Sequence, residues 1–429
     1  MTRSVRCARA WVGIALLVAI ASIPVRGEEA GPTTPAPTVE TTVEAGEAGA
    51  EEPRRRITKN EFDGPVTNFH YGLGFLLEYD AYSQDDESEE QLSLEPDAGV
   101  RDARLLFRGR FKTQRPLTWS IGYMYDHSNR SWHFRQTGLM IGFPELRGNL
   151  FIGRTKEGYS MTKAMTGYHI PTMERSPALD AFVPILADGI KWLGYFPGPE
   201  IFFNLGVYTD SLEESASFAT YDHQQVLRVG WLPILDEKAG KLLHVAVMGR
   251  NGEPDEGFLQ QRARPEANFA PYFVDTGKFA ATHALTTGME AYYRDGPWLF
   301  GGEYNFQDID ATDGRHPRFQ GGNLIAAWIV TGETRPYNVA GGGYFTDFSP
   351  KHPVFEGGPG AWEVVLNMSY LDLDDGTFQG GKVWRVTPMV NWHLVDYLKV
   401  QMAYGYSVLD RFGLEGGTQF FQARLVTYF

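Results

Sequence analysis

Phe420-Phe421-Gln422-Ala423-Arg424-Leu425-Val426-Thr427-Tyr428-Phe429 closes the chain, and its side chains alternate in character. In a strand, successive side chains point to opposite faces. Phe421, Ala423, Leu425, Thr427 and Phe429 therefore share one mostly apolar face. Gln422, Arg424, Val426 and Tyr428 share the other, which carries a guanidinium. A strand that closes a barrel in lipid has this layout, apolar toward acyl chains and polar toward a wet interior. A closing strand in a soluble sheet protein has it too, so the decision rests on what precedes it.

The chain begins like an exported protein. Arg3, Arg6 and Arg9 lead into an apolar run from Ala10 to Ile20, with small residues after it at Ala19-Ile20-Ala21 and Val25-Arg26-Gly27. Residues 1–27 thus read as a secretory signal peptide, the run being short for a membrane-spanning helix. The single cysteine, Cys7, lies before that run, so the mature chain holds itself together without disulfides. Residues 28–65 read as an acidic, low-complexity, disordered tether. Positions 28–52 carry seven Glu and no Lys or Arg, among Ala, Gly, Thr and Pro. That composition buries too little apolar surface to offset ordering entropy.

From about Tyr71 the alternation of the last strand recurs. Trp362, Val364, Leu366, Met368 and Tyr370 interleave with Glu363, Val365, Asn367, Ser369 and Leu371. Leu117, Trp119, Ile121, Tyr123 and Tyr125 interleave with Thr118, Ser120, Gly122, Met124 and Asp126. Sixteen such segments can be parsed, each about ten residues long, the length of a tilted strand crossing a bilayer. An even count returns both termini to one side. No later run of eighteen apolar residues exists, yet aromatics are 14% of the chain and Gly numbers 48. Inner positions are often Gly, Ser, Thr, Asn, Arg or Glu, which predicts a wet lumen. The fold class is therefore all-β: a transmembrane antiparallel β-barrel of sixteen strands over residues 66–429, with long outer loops. The link from Lys156 to Ala187 follows the fifth strand and is long, basic and aromatic. The link 332–359 breaks the rule, being long where a short turn is expected.

Several short motifs, in order, carry a family likeness. They are Met173-Glu-Arg-Ser-Pro177, Gly189-Ile-Lys-Trp192, Thr331-Gly-Glu-Thr-Arg-Pro-Tyr337, Gly360-Ala-Trp-Glu363 and Ser369-Tyr-Leu-Asp-Leu373. With terminal Phe429 they resemble the phosphate-selective porin O and P family over roughly residues 70–429. The resemblance implies a sixteen-stranded outer-membrane barrel, usually a homotrimer, passing phosphate or related anions. It also implies a loop folded into the pore, at Lys156–Ala187. A terminal aromatic of this kind resembles the sorting signal of outer-membrane barrels, so Phe429 would be read by the barrel-assembly machinery.

The second strand gives the best independent sign of an anion path. Leu105, Phe107, Gly109 and Phe111 form one face, and Arg104, Arg108, Arg110 and Lys112 fall on the other with Leu106. Cations stacked along a strand, roughly 7 Å apart on one face, would replace an anion's hydration in steps. Arginine suits oxyanions because its planar fork bonds them bidentately. The inserted loop would add Lys156, Lys163 and Arg175, and the next strand Lys191; Arg228 and Arg424 also fall on inner faces. The alternative is structural: Glu78 and Asp80 on the first strand could pair with Arg108 or Arg110.

Net charge is −14; removing the signal region's four Arg and the tether's seven Glu leaves −11 for residues 53–429. Loop acids such as Asp85-Asp86-Glu87 contribute, and local lumen charge, not the total, sets the field an ion feels. A weakly selective general porin, or a non-conducting structural or adhesive barrel, stays open. No His-Glu-x-x-His, cysteine cluster or phosphate-binding Gly loop occurs, so no enzyme, cofactor or metal centre is expected. The partners expected are outer-membrane lipid and small anions, with no nucleic acid. Asp372, Asp374 and Asp375 before Gly376 echo a calcium loop but read as a solvated hairpin.

Overall fold

The structure is a computed structural model that describes residues 60–429 except 128–129 and 211–220. The signal peptide and most of the acidic tether lie outside the described residues. Glu61–Asp63, within the range read as tether, forms a short strand against Asn68–His70.

Sixteen antiparallel strands form one closed barrel. They are β1 Thr67–Gln84, β2 Asp97–Phe111, β3 Leu117–Asp126 and a broken β4, Ser131–Phe134 plus Thr137–Phe143. Next come β5 Gly148–Thr155, β6 Ala187–Phe196, β7 Ile201–Thr209 and β8 Tyr221–Asp236. They continue with β9 Lys241–Pro254, β10 Phe279–Asp295, β11 Trp298–Ala311 and β12 Arg318–Ile329. The last are β13 Ala361–Asp375, β14 Phe378–Val395, β15 Leu398–Arg411 and β16 Leu414–Tyr428. Each pairs with its sequence neighbour, and β16 closes on β1 with Leu77 opposite Leu425. The seam runs to the last residue: Phe429 N–H donates to the Leu73 carbonyl at 3.0 Å. Closure leaves no unpaired edge for lipid to meet.

Alternation fixes which face is which. Leu105, Phe107, Val247, Met289 and Leu324 are exposed on the outer wall, while Arg228, His244 and Glu290 point inward and are buried. Trp298 stacks on Trp328 at 4.9 Å and Trp362 on Trp392 at 5.1 Å, forming an aromatic girdle at the periplasmic end.

Strand length departs from the sequence reading. Strands β8–β16 and β1 run 12 to 18 residues, well beyond the expected ten. Their extracellular ends keep hydrogen bonding above the apolar band, where polar residues on both faces blur the alternation. Strands β3–β7 stay short, β5 having only 8 residues.

The lumen is also more filled than a simple wet pore. Three segments fold into it. The link 156–186 anchors through buried Tyr159, Met161, Met165, Met173, Leu179 and Phe182. Each such side chain removed from water contributes roughly 1.5–3 kcal/mol. Ser160 caps its first short helix, Met161–Ala164, and Pro177 opens its second, Pro177–Phe182. The link 255–278 packs Ala263, Ala267, Phe273 and Val274 against that second helix and the extracellular ends of the long strands. The third is the 330–360 link, too long for a periplasmic turn. It inserts from the periplasmic end, placing Tyr337 and Phe345 beside Leu242, Tyr292 and Met161.

Candidate functional site

The inserted segments crowd one side of the barrel. Inward residues of β8–β16 are almost all buried, whereas inward positions of β2–β4, such as Arg108, Thr118 and Ser120, remain partly accessible. The accessible inward positions thus lie along the periplasmic half of the β2–β4 wall, below buried Arg104 and Arg135.

On that wall the expected row of cations is present. Lys112 and Arg110 are exposed at the periplasmic end, and Lys112 pairs with Asp63 at 2.7 Å. Arg108 is half-buried and donates from Nε to His70 Nε2 at 2.9 Å. Arg104, deeper in, pairs with Asp102, and its guanidinium lies over the Tyr168 ring at 4.0 Å. Its Nε and Nη1 have no hydrogen-bond partner among the described residues.

The inserted loop brings Arg175 and Lys156 to Arg104, and Lys163 to Arg175. Arg175 donates to the Thr162 and Met165 carbonyls at 2.8 Å each, and Lys156 donates to the same Met165 carbonyl. Lys163 donates to the Val183 carbonyl at 2.6 Å. Burial, then the neighbouring Arg175, Arg135 and Arg104, pushes the Lys156 ammonium well below its ordinary value. Burial and Arg175 push Lys163 down to about 7. Neutral carbonyls accept these hydrogen bonds, and carboxylates act on them only through space, Asp180 and Glu157 on Lys163 and Glu174 and Asp180 on Arg175. Lys191 lies apart, donating to Thr155 Oγ1 at 3.1 Å and the Lys156 carbonyl at 3.3 Å.

Arg135 belongs to this cluster and is absent from the sequence-derived candidates. It sits where β4 breaks, between Phe134 and Thr137, and is buried. Read as a continuous strand, β4 hides it. The polar pair Arg135-Gln136 inside an otherwise apolar alternation was the available signal.

Other inward arginines serve the wall. Arg228 pairs with Glu290 at 2.5 Å and donates to the Gly342 and Gly343 carbonyls of the periplasmic insert. Arg250 pairs with Glu157 at 2.8 Å, tying the inserted loop to β9. Arg424 pairs with Glu78 and Glu174. The expected pairing of Glu78 and Asp80 with Arg108 or Arg110 is therefore corrected. Register puts Glu78 opposite Arg424, and Asp80 accepts from Gln422 at 3.2 Å. The Asp372–Asp375 stretch is a hairpin end whose carboxylates accept backbone N–H groups from Asp374, Gly381 and Arg318.

A closed sixteen-stranded barrel with an inserted, cation-bearing loop defines an outer-membrane porin. The profile of the phosphate-selective porin O and P family matches residues 69–424, and the chain belongs to that family. An uncharacterized protein of Caulobacter vibrioides is 34% identical over 132 residues, 31% of this chain and 26% of that one. The match thus spans about a quarter of that relative's length. Among solved structures, Salmonella typhi OmpF aligns with a TM-score of 0.54 at 10% identity, covering 85% of this chain and 99% of that one. The anion-selective porin from Comamonas acidovorans aligns at 0.52 and 11%, covering 84% and 99%. OmpT of Vibrio cholerae aligns at 0.53 and 9%, covering 86% and 100%. At these identities the likeness is one of fold. The protein resides in the bacterial outer membrane.

Proposed function

We propose that this porin passes small anions, phosphate among them, along the β2–β4 wall. The observation that carries the reading is the convergence of Arg104, Arg135, Lys156 and Arg175, with unpaired donors on Arg104 and Asp102 as its ion-pair partner. Buried guanidinium donors replace phosphate hydration bidentately, and Arg108 and Arg110 lead the ion onward to the periplasm. The activity is permeation, not catalysis. Arg104, Arg108, Arg110, Lys156, Lys163 and Arg175 act on the ion, Lys112 and Lys191 at the margins.

A homotrimer suits the low wall. At a tilt near 40°, the eight residues of β5 rise only about 20 Å, short of a roughly 25 Å apolar band. A second copy covers that wall better than thinned lipid. A trimer form is described for Vibrio cholerae OmpT, aligned at a TM-score of 0.50. Phe429, exposed at the seam, is the terminus that the barrel-assembly machinery would read.

One observation favours weaker selectivity. Acids such as Asp86, Asp308, Asp313 and Glu415 are exposed at the extracellular ends, where they repel entering anions. Planar-bilayer recording decides. Reversal potentials in a salt gradient should give an anion preference, and added phosphate should reduce chloride current. A cation preference overturns the proposal.

A further inference from the structure

The outer wall holds a hollow that the ion pathway does not use. On β8–β13, outward side chains form registered rows across the strands, one running Trp231, Val245, Ala291, Gly302, Leu324, Met368. The next row toward the outside contains Met289, Tyr304, Gly322 and, on β14, Trp384. Ala291, Gly302 and Gly322 are small, and the side chains around them are large. The result is a concave space of about 1210 Å³ on a wall that is otherwise convex.

Its depth and chemistry restrict the occupant. Gly302 stands four residues above girdle residue Trp298, roughly 13 Å along the strand, inside the hydrocarbon band. The charged residues beneath it, Glu290, Glu303 and Arg385, face inward and are buried. Its surface thus offers no charge, and the hydroxyls of Tyr304 and Tyr370 at its outer rim already donate to Gln320 and Asp372 of the wall at 3.1 Å each. On both sides it merges with lipid-facing wall, where Leu227, Leu285 and Leu366 are exposed. The low wall suited to a second copy, β3–β7, meets the hollow only at its edge, where Ile201 of β7 is the register partner of Trp231.

We infer that this hollow is a binding site for an acyl chain of a membrane phospholipid, held as a resident molecule. A flexible methylene chain fills the space between a Gly–Ala floor and aromatic sides without stranding a polar group. The lipid would be held by dispersion contacts along its tail, with its headgroup free at the membrane surface.

Native mass spectrometry tests this with the full mature chain, refolded into vesicles of phosphatidylethanolamine and phosphatidylglycerol and then extracted into detergent. The wild type should retain phospholipid, and Ala291→Trp should lose it, while Leu366→Trp outside the hollow keeps it. Heat-modifiable gel mobility confirms that each barrel is folded, and Val247→Trp replaces Ala291→Trp if that variant is not. Absence of retained lipid in the wild type, or equal retention in the filled variants, overturns the inference. So does a change in the number of chains per particle when the hollow is filled, which would mark a second copy as the occupant.

Discussion

Arg424 on the last strand and Glu78 on the first are register partners across the closing seam, with Arg424 Nε donating to Glu78 Oε2 at 2.7 Å. The same guanidinium donates to Glu174 in the inserted loop at 2.5 Å and to the Met173 carbonyl. One side chain thus couples barrel closure to the placing of the loop. Removing it would leave buried Glu78 uncompensated, while Glu174 keeps two bonds from Arg101, and one such orphaned charge costs about 3–5 kcal/mol. Arg424→Met should lower unfolding free energy by about that amount in urea titrations of the vesicle-embedded protein. Adding Glu78→Gln should recover part of the loss, because one orphaned charge is then gone. An unchanged midpoint in Arg424→Met would show that lumen water replaces the pair.

Channel-facing and wall-holding cations should separate in recordings. Arg135 and Lys156 lie in the cluster beside Arg104, whereas Arg250 is bound to Glu157 and Gln224. Arg135→Gln and Arg175→Met, the second also beside Arg104, should each reduce the anion-to-cation permeability ratio several-fold, measured from reversal potentials. Arg250→Met should destabilise the protein and leave the ratio close to wild type. Equal effects from all three would mean that the cluster acts only through the overall lumen charge.

The periplasmic insert should set the width of the exit. Gly342 and Gly343 accept from Arg228, and Tyr337 O–H lies 2.6 Å from His244 Nδ1. Arg335 and Lys399 hold Asp347 and the carbonyls of His169 and Tyr168, so the insert also buttresses the inserted loop. Replacing residues 338–344 by a short Gly-Ser turn should raise single-channel conductance with the strands intact by circular dichroism. Unchanged conductance would place the narrowest point at the 156–186 loop alone.

The strands were legible because each lipid-facing position must be apolar, and that demand writes period-two alternation into every crossing. Arg104, Arg108 and Arg110 were legible for the same reason: with Leu105 and Phe107 facing lipid, their neighbours Arg104 and Arg108 can only point inward. Pairing was not legible. Glu78 meets Arg424 because the first and last strands are neighbours, a contact between residues 346 positions apart. Arg135 was hidden by a strand break that the alternation passes over. The 330–360 link announced itself by its length, but its insertion depends on Arg228, His244 and Lys399, which lie on other strands.

Acidity should strengthen anion preference. Lys163 is pushed down to about 7 from an ordinary 10.5, by burial first and then by Arg175, so it is charged below pH 7 and neutral above. Lys156 is pushed down by the same kind of surroundings. Raising the pH from 6 to about 8.5 should therefore remove positive charge beside Arg175 and lower the anion-to-cation permeability ratio. The stability consequence has the opposite sign. Between about 7 and 10.5 the unfolded chain binds the proton that the folded chain has released, so stability rises with pH across that window. Lys163→Met should weaken both slopes, and Lys163→Arg should keep the low-pH selectivity into alkaline solution. A pH profile that is identical in all three proteins would rule Lys163 out as the titrating group.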